Sequence, residues 1–266
     1  MRRFSPGYLA NARRGMWTDR EALAGLDLPG RERILEVGCG SGEFTRVLQE
    51  ESDAAIVGLD ADHSLLARAG GRLDGGTAWT LGDATRLPLD DGAFDLVVCQ
   101  ALLVNLPDPA AAVAEFARVS AGLVAAIEPD NAAVTVESTV DSESRLARSA
   151  REAYIAGLET DVTLGDASGL FEAADLSGID VREHRHTRTV EPPYSEDAIE
   201  GAARKARGER LAEKRAELLA GDLTEAEYDA LREQWREMGR DAIEAMQDGE
   251  YERAETTPYF VTVGRV

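Results

Sequence analysis

The sequence predicts an α/β chain built on a mostly parallel sheet with helices on both faces, and three observations lead there. The apolar run Ile34-Leu35-Glu36-Val37 ends in Gly38-Cys39-Gly40-Ser41-Gly42 and passes at Glu43-Phe44-Thr45 into helical spacing. Short apolar runs recur at Ala55–Asp60, Ala78–Leu81, Phe94–Gln100 and Gly122–Glu128, each finishing at or beside an acidic or amide side chain. The segments between them carry apolar residues at a period near 3.6. Such an alternation implies parallel strands joined by crossover helices, with ligands at the carboxyl ends of the strands.

Taken in order, the chain opens with a helical segment near Pro6–Leu26, so that 1–30 forms an N-terminal helical cap. Arg2, Arg3, Arg13, Arg14 and Arg20 make its first twenty residues basic against the single acid Asp19, and pairing with the acidic body of the chain is the expected use of that charge. The first strand then runs into the glycine loop, where alternate glycines allow positive φ and close approach of a ligand to the main chain. As a dinucleotide fingerprint the loop supplies Gly38 and Gly40, but Glu43 stands where a third small residue must pack. Glu43 would also set a carboxylate at the helix start, against a diphosphate. A nicotinamide dinucleotide is a poor fit.

With Glu36 two residues before Gly38, the run reads instead as E-x-G-x-G-x-G and resembles motif I of the class I S-adenosylmethionine-dependent methyltransferases. Asp60 ends the second strand roughly twenty residues beyond Gly38, where an acid can accept both ribose hydroxyls. Gly82-Asp83-Ala84 follows the third strand, and Phe94–Gln100 leads to Ala101–Leu106 and Pro107-Asp108-Pro109. This order resembles motifs II, III and IV of the same family, nearest its ubiquinone/menaquinone-biosynthesis, small-molecule branch, over roughly Arg33 to Asp130. The resemblance implies a Rossmann-like sheet with an antiparallel edge strand. It implies S-adenosyl-L-methionine as cofactor, held by Glu36, Gly38, Cys39, Gly40, Gly42, Asp60, Ala61, Asp83, Ala84, Gln100 and Leu103. Asp60 would hold the ribose, Asp83 the adenine amino group and Ala84 the ring through its backbone N–H; Gln100 and Leu103 would lie near the methionine portion.

Beyond Asp130 comes a polar stretch, Glu137 to Arg145, then a helix through Leu158 and a short one at Ser168–Leu176. Asp180–Val190 and Tyr259–Gly264 read as strands that would form the antiparallel edge. Residues 31–190 and 256–266 would then make the cofactor-binding domain, and 191–255 a helical hairpin insertion, a lid or a dimerisation arm. Its limbs, Ala198–Leu219 and Thr224–Met246, carry Leu211, Leu218 and Leu219 in one and Tyr228, Leu231, Trp235, Met238, Ile243 and Met246 in the other, a stripe expected to be core before pocket lining. Thr224 with Glu227 three residues on is a capping box.

Composition bounds the rest. The 266 residues carry 50 acids against 29 bases, a net charge of −21, and the only lysines are Lys205 and Lys214. This is the composition of a halophilic protein, hydrated by carboxylates in molar salt, and it disfavours a nucleic-acid partner. No run has the length of a membrane span and no secretory leader is visible, so a cytoplasmic location is expected. Cys39 and Cys99 read as packed thiols, and no zinc-site spacing exists.

The expected reaction is methyl transfer to a small-molecule acceptor by in-line displacement, the acceptor being an isoprenoid quinone precursor or another aromatic or lipid-like compound. The donor carries its own leaving group, so the protein aligns and desolvates the reactants and supplies at most a base. Candidate bases are His184, with His186 beside it, Glu128 and Asp130, while Tyr8 and Trp17 could close over cofactor or acceptor. The alternatives are a non-catalytic cofactor-binding scaffold and an RNA or protein methyltransferase. Monomer and homodimer both remain open.

Overall fold

Strand β1, Arg33–Val37, forms the middle of the sheet because Ile34, Leu35 and Val37 give both of its faces to the interior, each with no solvent exposure. In the computed structural model, which describes residues 16–18, 20–73 and 76–266, the further strands are β2 Ala55–Asp60, β3 Thr77–Leu81, β4 Phe94–Gln100, β5 Ser120–Pro129, β6 Thr135–Ser138, β7 Ser177–Val190 and β8 Arg253–Arg265. The helices are α1 Glu43–Glu51, α2 His63–Gly70, α3 Pro109–Val119, α4 Glu143–Ala156, α5 Ser168–Ala173, α6 Glu196–Arg207, α7 Glu209–Glu213, α8 Arg215–Ala220 and α9 Glu225–Gln247. Contacts divide the chain into two units. One holds the described residues up to Asp130 with Thr163–His184 and Tyr259–Val266; the other holds Asn131–Val162 and Arg185–Pro258.

In the first unit β3-β2-β1-β4-β5 run parallel and β8 closes the series antiparallel to β5, with β7 pairing β8. This is the mostly parallel sheet with an antiparallel edge that the sequence predicts. Alternation along the strands sorts the core into two layers. Leu35, Val37, Val97, Val124 and Ala126 meet Val113 and Phe116 of α3 and Phe171 of α5. Ile34, Ile56, Leu96, Val98, Ala125 and Ile127 meet Phe44, Val47 and Leu48 of α1 on the other face. Side chains set the helix starts: Asp62 accepts from the Ser64 N–H at 2.8 Å, and Asp108 from the Ala111 N–H at 3.0 Å ahead of Pro109.

The expected N-terminal helix lies largely outside the described residues, Tyr8 and four of its arginines included. Its described end is two 3₁₀ turns, Glu21–Leu26 and Leu28–Gly30, which bury Leu23, Leu26 and Leu28. Arg20 pairs with Glu50 and Glu51, the self-pairing expected of that basic segment.

The second unit is larger than the expected insertion, since it also takes Asn131–Val162 with β6 and α4. The short β6, which pairs antiparallel with the first half of β8 (Thr135↔Thr256 to Ser138↔Arg253), has no counterpart in the sequence reading. The first limb of the hairpin is three helices rather than one. Gly208 takes φ +65° and ends α6, its N–H turning back to the Arg204 and Lys205 carbonyls, and Lys214 separates α7 from α8. The second limb, α9, starts at the Thr224–Glu227 capping box. Its stripe is core: Tyr228 and Met238 are buried and Leu231 and Trp235 pack against them.

Candidate active site at the strand ends

Asp60, at the end of β2, is almost wholly buried. Its Oδ2 accepts from the Gly40 N–H at 2.8 Å and its Oδ1 from the Asp62 N–H at 2.8 Å, so one carboxylate fastens the glycine loop to the adjacent strand end. An ionised carboxylate offers about four lone-pair positions, so acceptor capacity remains on both oxygens. The loop is fixed from below as well, because the Gly38 and Cys39 N–H groups both donate to the Leu59 carbonyl, at 2.7 and 3.0 Å. Gly38 takes φ +74°, which strains any other residue, and a Cβ there would stand 2.8 Å from Leu102 Cδ1 and make that side chain shift.

The loop ends at Gly42, which opens α1 without a side-chain cap, so the positive end of the helix is bare backbone. Glu43 sits in that first turn, accepts from Ser41 Oγ at 2.8 Å and pairs with Arg72 at 3.2 Å. A diphosphate would meet this carboxylate. Ser41 as its partner was not singled out in the sequence, although Ser-x-Glu across a helix start is the local signal for it.

Glu36 is buried under the loop and accepts from Thr45 Oγ1 of α1. Cys39 has no exposure, and burial first, then the Glu36 and Asp60 charges, push its thiol far up. It contributes backbone and packing, as a neutral thiol. Ala61 is exposed just past β2. After β3, Asp83 is exposed, and its Oδ1 accepts the Thr85 N–H at 2.9 Å and the Thr85 hydroxyl at 2.8 Å, which hold its carboxyl below the usual range. Ala84 is buried beside it. Gln100 ends β4, buried, with Nε2 donating to Met16 Sδ at 3.3 Å. Leu103 places its side chain in the core.

Of the candidate bases, Glu128 lies deepest. Its Oε1 accepts from the Leu102 and Leu103 N–H groups at 3.0 and 2.9 Å and its Oε2 from the Val104 N–H at 3.4 Å, which shapes the turn after β4. Burial pushes the carboxyl up to about 7 against the pull of those three donors. With no solvent exposure and both oxygens engaged, it is built to position the 102–104 backbone. Asp130 is half-buried just beyond β5.

His184, half-buried on β7, stacks on Tyr259 with ring centroids 5.5 Å apart, and Tyr259 lies opposite Pro129 at the end of β5. Trp17 meets Tyr259 edge-on at 6.3 Å and Phe44 at 5.0 Å. An aromatic row therefore leads from the first turn of α1 to His184. Among the described residues, His184 Nε2 and Trp17 Nε1 are buried without a hydrogen-bond partner. The row was not legible in the sequence, since Phe44, Tyr259 and His184 belong to three distant segments. His186 falls in the other unit.

The parallel strands thus bring Asp60, Asp83, Gln100 and Glu128 to one sheet edge. No group of three or more His, Cys, Asp or Glu side chains suited to a metal occurs among the described residues, and none of their helices is long and apolar enough to cross a membrane. A loop of three positive-φ glycines, a helix start without a side-chain cap, a buried acid with spare acceptor capacity and an exposed acid beyond β3 fit a ligand with a carboxylate, a ribose and an adenine amino group.

Residues 35–123 match a family model described as a methyltransferase domain. Over that region the chain resembles the quinone-biosynthesis branch. It is 33% identical over 107 residues to the demethylmenaquinone methyltransferase of Lactiplantibacillus plantarum, an alignment covering 38% of this chain and 45% of that protein. It is also 33% identical over 123 residues to the ubiquinone biosynthesis O-methyltransferase of Hahella chejuensis, covering 44% and 48%. The chain thus spans about half the length of these relatives. Among solved structures, the YcgJ protein of Bacillus subtilis shares the fold with a TM-score of 0.53 at 15% identity, over 90% of this chain and 96% of that one.

Proposed function

We propose that this chain binds S-adenosylmethionine and transfers its methyl group to a small-molecule acceptor, of the aromatic or lipid-like kind that includes isoprenoid quinone precursors. The observation that carries the reading is the Asp60 carboxylate, buried at the end of β2 and fastened to Gly40, which presents acceptors for a ribose beside a loop of three positive-φ glycines. When bound, the cofactor supplies an electrophilic methyl group on a sulfonium and its own leaving group.

The chain's residues orient and shield the reactants. Gly38, Gly40 and Gly42 admit the donor to the backbone, the start of α1 takes its carboxylate, and Asp83 accepts from its adenine amino group. Glu128 fixes the 102–104 turn that borders the methionine end, and the Phe44–Trp17–Tyr259 row offers flat apolar surface to the acceptor. His184, through its unpartnered Nε2, takes up the acceptor's proton where the acceptor carries a hydroxyl or an acidic carbon. The reaction needs no nucleophile from the protein.

Calorimetric titration in molar potassium chloride tests this, with S-adenosylmethionine as ligand and NAD as control. Wild type should bind the methyl donor in the micromolar range and ignore NAD. Asp60→Ala, which removes two charge-assisted hydrogen bonds, should lose about a hundredfold in affinity. A folded wild-type protein with no affinity for the methyl donor would sink the reading.

A further inference from the structure

The turn after β4 is built directly against the glycine loop. Ala101 takes φ +48°, in the left-handed region that favours glycine. Its N–H donates to the Ile127 carbonyl at 2.8 Å, and its own carbonyl accepts from Asn105 Nδ2 at 2.8 Å. Past it the N–H groups of Leu102, Leu103 and Val104 converge, in the kind of concavity that successive N–H groups make for an anion. The anion is the chain's own, since Glu128 Oε1 accepts from Leu102 and Leu103 at 3.0 and 2.9 Å and Oε2 from Val104 at 3.4 Å. Leu102 carries this order on to the loop: its Cδ1, Cδ2 and Cγ lie 2.8, 3.1 and 3.2 Å from where a Cβ on Gly38 would stand.

An ionised carboxylate only accepts, whereas a protonated one must donate from one of its oxygens. Each oxygen of Glu128 already faces an N–H group, so a proton on either costs the turn at least one of its three bonds. The groups packed on Glu128 do not take over its charge. Cys99 of β4 donates its thiol to Oε1 at 3.6 Å and is itself kept neutral by burial, with Glu36 of β1 acting on the same thiol. Phe260 of β8 stands opposite, and no cation pairs with Glu128 among the described residues. Burial pushes the carboxyl up to about 7 against the pull of the N–H groups, so both of its forms are populated near neutrality.

We propose that Glu128 is a positioning residue that holds Leu102 against the glycine loop only in its ionised form, so that binding of the methyl donor drives a proton off it. The inference rests on the reading that S-adenosylmethionine binds at this loop. By reciprocity, a ligand that favours the ionised form releases protons on binding and binds more tightly as pH rises. Calorimetry of the full chain with S-adenosylmethionine in molar potassium chloride, in two buffers of different ionisation enthalpy, counts those protons. The α-ammonium of the donor titrates in the same range, so wild type is compared with Glu128→Gln, which meets the same ligand with a neutral side chain. At neutral pH wild type should release about half a proton more than the variant, and between about pH 6 and pH 8 its affinity should rise about tenfold relative to the variant's. A side chain that only supported the fold would move neither quantity. Wild type alone gives a second readout, the infrared band of a protonated carboxyl, which should disappear when the donor is added near neutral pH. Donor binding with the same proton count and pH profile in both proteins, or a carboxyl band that persists at saturation, overturns the inference and leaves the cofactor reading standing. A folded wild type with no donor affinity at any pH overturns both.

Discussion

The two units use buried carboxylates in opposite ways. At the strand ends of the first, Asp60 and Glu128 accept from backbone N–H groups, Gly40 and Asp62 in one case and Leu102 to Val104 in the other. In the second, Glu143 and Glu255 accept from lysine, arginine, tyrosine and serine side chains. A carboxylate on backbone donors fixes loop geometry without pairing with a cation of the chain, which suits the cationic ligand proposed for this site. A carboxylate on cations is neutralised and ties together segments far apart in sequence. One arrangement prepares for a ligand; the other holds a unit that has only small core clusters.

Removing a carboxylate from each unit tests this contrast, and the largest effect should come from the ionic one. Glu143→Gln leaves Lys205 without its counter-charge and Arg253 with Glu255 alone, and we expect a loss of about 3 kcal/mol in unfolding free energy, read from urea denaturation by circular dichroism. An unchanged midpoint would mean that water reaches these cations and that the cluster does not hold the unit together.

The pH dependence should separate the units next. The Glu128 carboxyl is raised to about 7 from an ordinary 4.5, so the folded protein keeps a proton that the unfolded chain releases between those values. Its contribution to stability is full below pH 4.5 and is lost as pH rises through about 7. The Glu255 carboxyl is lowered to about 2 by the Arg253 and Arg188 charges, in spite of burial. Its contribution is present above pH 4.5 and is lost as pH falls toward 2. Denaturation midpoints across these two windows should therefore respond to different variants. Glu128→Gln should flatten the upper window alone and Glu255→Gln the lower window alone, and a variant that changed both would break the contrast. The smallest effect should be that of Thr224→Ala, which removes the capping box of α9 and should cost about 1 kcal/mol in the same denaturation assay.

Much of the first unit is legible in the sequence because its signals are local. The glycine loop, Asp60, Gly82-Asp83 and the apolar strand runs each lie within a few residues, and spacing alone orders them along a parallel sheet. What Glu128 does was not legible, because the N–H groups it serves lie 24 to 26 residues earlier in the chain. The same holds more strongly for Glu143, whose partners Lys205, Tyr251 and Arg253 are 62, 108 and 110 residues away. Strand β6, four residues of mixed exposure, has no hydrophobic period to betray it. Gly208 did carry a visible signal, since a glycine inside a helical pattern is a common stop, but the apolar spacing on both sides of it favours one continuous helix.

The two cysteines turn this arrangement into a clock. Cys39 lies inside the glycine loop and Cys99 in the central strand β4, both without exposure and both held as neutral thiols by burial and neighbouring carboxylates. A thiol reagent can reach either one only when its own part of the molecule opens. The modification rate at Cys39 thus counts openings of the loop, while that at Cys99 counts openings of the sheet. A ligand that settles on the loop slows the first count directly, and it slows the second only so far as the sheet and the loop open together.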